Sequence, residues 1–158
     1  MVTTAEQVRE VLADVHDPEI PVLTIEDLGV LRDVSVDGDH VVVTVTPTYS
    51  GCPAMDEIRA DIATALAAHG WRDVEVRTVL APAWTTEWMS EDGRRKLREF
   101  GIAPPGELLL QIRPREVVAC PQCGSGDTEE LTRFGSTSCR SMWRCRSCRE
   151  PFDHFKAH

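Results

Sequence analysis

Apolar residues recur along this chain with two periods, and the changes of period mark out its elements. Val8, Val11, Leu12 and Val15 fall three or four apart, the spacing of one helical face. A first helix is therefore predicted from about Thr4 to Val15, with Thr3 and Glu6 as a capping box. His16-Asp17-Pro18-Glu19-Ile20-Pro21 ends it, because each proline disfavours helix in the residue before it. Thr24-Ile25-Glu26-Asp27-Leu28-Gly29 then reads as a short helical turn closed by glycine. Two Val-rich strands follow, Val30 to Val36 and His40 to Thr48, joined at the hairpin signal Asp37-Gly38. Helical spacing returns at Met55, Ile58, Ile62 and Leu66, giving a helix from about Pro53 to His69 that Gly70 stops. Trp71 to Leu80 alternates apolar and charged residues and predicts a third strand. Helix, hairpin, helix and strand make a small α+β sandwich, with a mixed sheet because the last crossover holds a helix and can return parallel.

Beyond Leu80 the periodicity weakens. Trp84, Trp88, Met89 and Leu97 are expected in the core rather than on a partner-binding surface. The charged run Ser90 to Phe100 forms a helical extension, and Gly101 with Pro104-Pro105-Gly106 breaks the chain. Glu107 to Arg113 reads as one more strand, and a boundary near Pro114 divides residues 1–114 from a Cys-rich tail at 115–158.

Charge and cysteines sharpen this division. Residues 1–114 carry 10 Lys+Arg against 20 Asp+Glu, whereas residues 115–158 carry 7 against 6. So acidic a body argues against general binding to nucleic acid or anionic membrane. The first fifteen residues are charged and amphipathic, and no apolar run approaches the roughly 18 residues that span a bilayer, so a cytoplasmic protein is expected. In that compartment paired thiols bind metal more often than they form disulfides.

Five of the six cysteines lie in the tail. Cys120-Pro121-Gln122-Cys123 and Cys145-Arg146-Ser147-Cys148 are two CxxC knuckles with 21 residues between them, a spacing that closes a tetrahedral four-sulfur site. Strand-like pieces at Thr128 to Phe134 and Met142 to Arg144 complete a zinc-ribbon pattern. Structural zinc is the expected metal, with iron or a cluster the alternative in the same thiolates. Cys139 is read as a spare buried thiol rather than a competing ligand. Arg140, Arg144, Arg146 and Arg149 form a basic patch that nearby acids nearly cancel, so it points to a solvated or protein-facing surface rather than to RNA or DNA.

Cys52 stands alone in the body, at the junction of the second strand and the second helix. Pro53 suits the first helical position, which puts Cys52 at or beside the N-cap. A thiol there faces backbone N–H groups and the positive end of the helix dipole, and both favour the thiolate. The neighbouring acids have a plainer reading, with Asp17 shaping a turn before Pro18 and Asp27 capping one.

Asp17-Pro18-Glu19, Asp27-Leu28-Gly29 and Thr48-Tyr49-Ser50-Gly51-Cys52-Pro53 resemble the signature of the SufT-like iron-sulfur assembly factors. The tail, with Cys120-Pro121-Gln122-Cys123-Gly124-Ser125, Phe134-Gly135-Ser136-Thr137-Ser138-Cys139 and Glu150-Pro151-Phe152-Asp153-His154-Phe155-Lys156, narrows the resemblance to the PaaD (PaaJ) family. These are accessory proteins encoded with the phenylacetyl-CoA epoxidase of aerobic bacterial phenylacetate catabolism. The resemblance covers almost the whole chain. It implies a role in maturing or repairing the epoxidase's iron centres, the cluster of its reductase or the di-iron site of its oxygenase. Its implied partners are those subunits and iron-sulfur assembly proteins.

On that resemblance Cys52 is the working thiolate, with Asp17, Glu19 and Asp27 at the same end of the sheet, and iron or a cluster as transient cargo. One cysteine cannot hold a cluster alone, so a bridging site would need a homodimer, glutathione or the recipient protein. The chain is not expected to be an enzyme. It lacks the Glu-x-x-His pairs of helical di-iron proteins and any dinucleotide-binding glycine fingerprint. The alternative is a non-catalytic adaptor that docks on the epoxidase through its ribbon, with Cys52 merely structural.

Overall fold

The computed structural model describes residues 3–106 and 117–157. The strand expected at 107–113 and the boundary expected near Pro114 lie outside the described residues. The chain forms two compact units, Met1–Ser90 and Glu91–His158.

In the first unit, α1 (Ala5–Leu12) and α2 (Ala54–Ala68) accompany β1 (Leu31–Asp37), β2 (His40–Val45) and β3 (Asp73–Thr78). The sheet runs β1-β2-β3, antiparallel in its first pair and parallel in its second, so it is mixed as its sequence implies. Val8, Leu12, Val41, Val43, Val45, Ile62 and Leu66 are fully buried, the inward faces of both helices and of the central strand.

Several boundaries shift for identifiable reasons. The capping box of α1 uses Thr4 and Gln7, each side chain bonding the other's backbone N–H at 3.3 and 3.0 Å, rather than Thr3 and Glu6. Thr3 is engaged elsewhere, accepting the Trp71 indole N–H at 3.0 Å. Helix α1 stops at Leu12 rather than Val15 because the chain beyond it turns back on itself. There the Ile25 N–H reaches Val15 O and the Asp17 N–H reaches Leu23 O, both at 2.9 Å. Strand β2 ends at Val45, two residues before Pro47, which has no N–H to offer a ladder. Of the aromatics beyond β3, Trp84 is buried and its indole donates to Leu28 O at 2.9 Å, while Trp88 is half-buried beneath the Arg32 guanidinium.

The second unit holds α3 (Glu91–Glu99), β4 (Ile102–Ala103), β5 (Thr128–Thr132), β6 (Arg140–Cys145) and β7 (Pro151–Phe155). Its sheet runs β4-β7-β6-β5, with β4 parallel to β7 and the other pairs antiparallel. Segment 91–103, expected with the body, packs here because Ile102 and Ala103 pair with Asp153 and His154. Neither β4 nor β7 was expected, one being two residues long and the other opening on a proline. Ala103, Val118, Cys120, Trp143, Cys145 and Phe152 make its core. Among the described residues no helix is long and apolar enough to cross a membrane.

Candidate functional site

Cys52 lies in the loop from β2 to α2, beyond the carboxyl ends of the parallel pair β2 and β3, where open α/β sheets commonly hold ligands. A turn sets its position. The Cys52 N–H donates to Tyr49 O at 3.3 Å, and Gly51 at φ +80° supplies the left-handed residue this turn requires. Cys52 O in turn accepts the Met55 N–H at 3.2 Å, joining the turn to α2, whose N-cap is Pro53.

The thiol is half-buried, and its pKa is raised rather than lowered. Burial is the largest cause; the Ala54 N–H and a hydrogen bond from Tyr49 pull the other way, and the charges of Glu19 and Asp17 add to the rise. The helix-terminus effect expected from sequence therefore exists, but desolvation outweighs it and the resting site holds a thiol. Tyr49, not singled out among the sequence candidates, bonds to the thiol. Its signal was legible in Tyr49-Ser50-Gly51-Cys52, a four-residue turn with glycine third.

Two of the three expected acids thus act on Cys52. Asp17 is buried, and its Oδ1 accepts the N–H groups of Glu19 at 2.9 Å and Ile20 at 2.8 Å, so the same carboxylate shapes its own turn. Glu19, within that turn, is the stronger of the two in effect. Asp17 and His16 also border a groove of about 440 Å³ shared with Glu57 and Asp61 of α2. Asp27 is committed to a different turn. It exchanges bonds with Thr24, the Asp27 N–H to Thr24 Oγ1 at 3.0 Å and the Thr24 N–H to Asp27 Oδ2 at 3.3 Å, and its Oδ1 accepts from Ser90 Oγ at 3.0 Å. This is a capping role in the turn closed by Gly29.

In the second unit Cys120, Cys123, Cys145 and Cys148 bring their sulfurs within 4.8 Å of one another. Cys120 and Cys148 stand 3.7 Å apart, Cys123 and Cys145 3.6 Å. A tetrahedral centre with metal–sulfur bonds of about 2.3 Å places its sulfurs about 3.8 Å apart, so the donors fit such a site. The Cys148 N–H points at Cys145 Sγ at 3.4 Å, and this bond chiefly holds the Cys145 thiol down to about 6. Cys139 is buried outside this group, with Thr137 Oγ1 3.0 Å from its sulfur. The arginines are largely committed. Arg144 and Arg146 share Glu129, and Arg140 reaches Asp153 at 3.1 Å.

An α+β unit with one cysteine beyond its strand ends, joined to a ribbon whose four cysteines fit a metal, defines a two-part class. Residues 5–78 match the model of an iron-sulfur cluster assembly protein, and residues 106–156 match that of the PaaD zinc beta ribbon domain. The chain is 48% identical over 153 residues to an Escherichia coli (strain K12) protein named as one component of a "Putative 1,2-phenylacetyl-CoA epoxidase", covering 95% of this chain and 93% of that one. It is 36% identical over 96 residues to an Fe-S protein maturation auxiliary factor of Porphyromonas gingivalis, 60% of this chain and 90% of that protein. A crystal structure of a domain of unknown function, DUF59, from Bacillus anthracis superposes with a TM-score of 0.55 at 31% identity, covering 59% of this chain and 90% of that one. This chain belongs to the PaaD family.

Proposed function

We propose that this chain is an accessory factor in the maturation of iron centres, with the phenylacetyl-CoA epoxidase as its client and the Cys52 turn as its working site. The carrying observation is the place of the Cys52 turn, beyond the carboxyl ends of β2 and β3 and at the start of α2, where the charges of Glu19 and Asp17 bear on the thiol. Carboxylates that disfavour a bare thiolate favour a cation beside it, and a soft sulfur with hard oxygens nearby is a donor set that iron accepts. Iron or a cluster is then cargo, received and passed on. The names of the E. coli and P. gingivalis relatives support this client and this role.

Cys120, Cys123, Cys145 and Cys148 would hold zinc. Bound there, it supplies folding free energy to the ribbon and no chemistry. The protein itself catalyses no oxidation in this reading.

The test is to produce the epoxidase with this protein, without it, and with its Cys52→Ser variant, then to assay iron and acid-labile sulfide in the purified complex. The reading requires metal or sulfide to fall without the protein and the variant to fail in restoring it. Unchanged metal content with lost activity would instead make the chain an adaptor that docks through its ribbon. Restoration by Cys52→Ser would remove Cys52 from the mechanism.

A further inference from the structure

Among the described residues the first unit's sheet has two outer strands, and they differ. The ladder between β1 and β2 shifts register between Leu31 and Asp33, an irregularity of the kind that twists an edge away from further pairing. The β2–β3 ladder runs unbroken from His40↔Asp73 to Val45↔Thr78. Every second residue of β3 therefore turns its N–H and C=O away from β2, in a regular array. The strand, Asp-Val-Glu-Val-Arg-Thr, contains no proline, glycine or lysine to interrupt that array. Its outward side chains are open, with Asp73, Glu75 and Arg77 exposed by 69%, 46% and 55%.

We propose that the outer edge of β3 pairs antiparallel with β3 of a second copy of this chain, about a two-fold axis at Val76. Charge complementarity selects both the occupant and the register. Helices of both copies stay on one face of the joined sheet only when residues of like parity stand opposite each other. Centring on Val74 sets Asp73 against Glu75, and centring on Arg77 sets that residue against itself; centring on Glu75 sets Asp73 against Arg77 twice but places two glutamates face to face at its middle. Centring on Val76 sets Glu75 against Arg77 twice, with Val76 against Val76 on the inner face. The two internal pairs, Arg77 Nη2 to Glu75 at 3.0 Å in each chain, are exchanged for two pairs between chains, so the charges fix the register without adding an ion pair. A pairing of this length buries less than the roughly 1,200 Å² of a standard stable interface, so the dimer is weak and concentration-dependent.

The proposal does not rest on the role of Cys52, but it bears on that role. The cysteine lies beyond the carboxyl ends of β2 and β3, and an antiparallel join carries the two copies of that end to opposite sides of the dimer. The two thiols cannot then share a cluster, and each copy acts alone toward a client.

The test is sedimentation of the metal-loaded full chain over a wide concentration range. The average mass should climb toward twice the chain mass. Arg77→Glu should weaken association about tenfold or more, and Glu75→Arg combined with Arg77→Glu should restore it. Unchanged far-ultraviolet dichroism certifies the fold, since both side chains are exposed. A chain that stays monomeric throughout, a dimer indifferent to Arg77→Glu, or a double swap that fails to rescue would each overturn the proposal.

Discussion

Cysteine does opposite things in the two units. In the ribbon four thiols converge without a carboxylate among them and share their protons unequally: the Cys148 N–H chiefly holds Cys145 down to about 6, whereas at Cys148 the Glu150 N–H is outweighed by burial and the neighbouring thiols, which push it up to about 12. In the first unit one thiol stands with two carboxylates, and burial with their charge raises its proton affinity. The first arrangement is made for a metal that stays, because four soft ligands at tetrahedral spacing leave no open position. Under the function proposed above, the second would leave most of a metal's coordination to other molecules, which suits transfer. Residue type alone therefore says little about a cysteine; the charges and number of its neighbours set what it can hold.

The largest effect should come from emptying the ribbon. Cys120→Ser, or a strong chelator, should abolish stoichiometric metal and unfold the second unit, since structural zinc contributes on the order of 10 kcal/mol to small thiolate domains. Metal assay reads the first loss, and amide hydrogen exchange across β5 to β7 reads the second. Cys139→Ser should keep the full metal content, and a drop with that variant would make Cys139 a ligand.

The next effect separates two glycines of the first unit. Gly29 sits at φ +78°, and a Cβ there would lie 2.6 Å from Trp88 O and 2.7 Å from Trp88 Cβ. Gly29→Ala should cost about 3 kcal/mol, combining left-handed strain with overpacking. Gly51 has nearly the same φ, +80°, but a Cβ there meets nothing within 4 Å. Gly51→Ala should cost only about 1 kcal/mol. Denaturant melts of the two variants check the ordering, and equal losses would discredit the packing of the Trp88 segment on Gly29.

How much of this was legible follows from how local each signal is. The Asp37-Gly38 hairpin and the two CxxC knuckles are written within a few residues each, and the structure has them; the helix start at Pro53 is written as locally, though Pro53 is the N-cap rather than the first helical residue. The capping box lies one residue later than its sequence suggests because Trp71, distant in sequence, claims the Thr3 hydroxyl. Strand β4 exists only because β7 lies alongside it, which no window around Ile102 could reveal. The protonation state of Cys52 is hidden for the same reason. Its own neighbourhood favours a thiolate, and the burial and charges that reverse this come from tertiary packing and from the turn after α1. Asp27, grouped by sequence with the acids at Cys52, serves a turn instead. Asp27→Ala should cost about 1 kcal/mol of stability and leave Cys52 reactivity unchanged.

The smallest effect is the most direct probe of the first unit's side of the comparison. Glu19 and Asp17 raise the Cys52 pKa through their charge, so removing either charge lowers it and increases the thiolate present at a fixed mildly alkaline pH. Glu19→Gln should speed iodoacetamide labelling of Cys52, and Asp17→Asn should do so less, in the order of the two charges' influence. Asn at position 17 retains an oxygen to accept the Glu19 and Ile20 N–H groups, so its turn survives, whereas Asp17→Ala also loosens the turn. Mass spectrometry of the Cys52 peptide isolates this thiol from the ribbon's. The linked stability has the matching sign. A pKa raised by folding stabilises the protein below the unfolded thiol's value, and that stability is lost as pH rises through the folded value, so wild type should weaken toward alkaline pH and Glu19→Gln less so. Labelling that slowed in Glu19→Gln would mean that this carboxylate reaches the thiol as a base rather than as a field, and the site would then be a nucleophile's rather than a cation's.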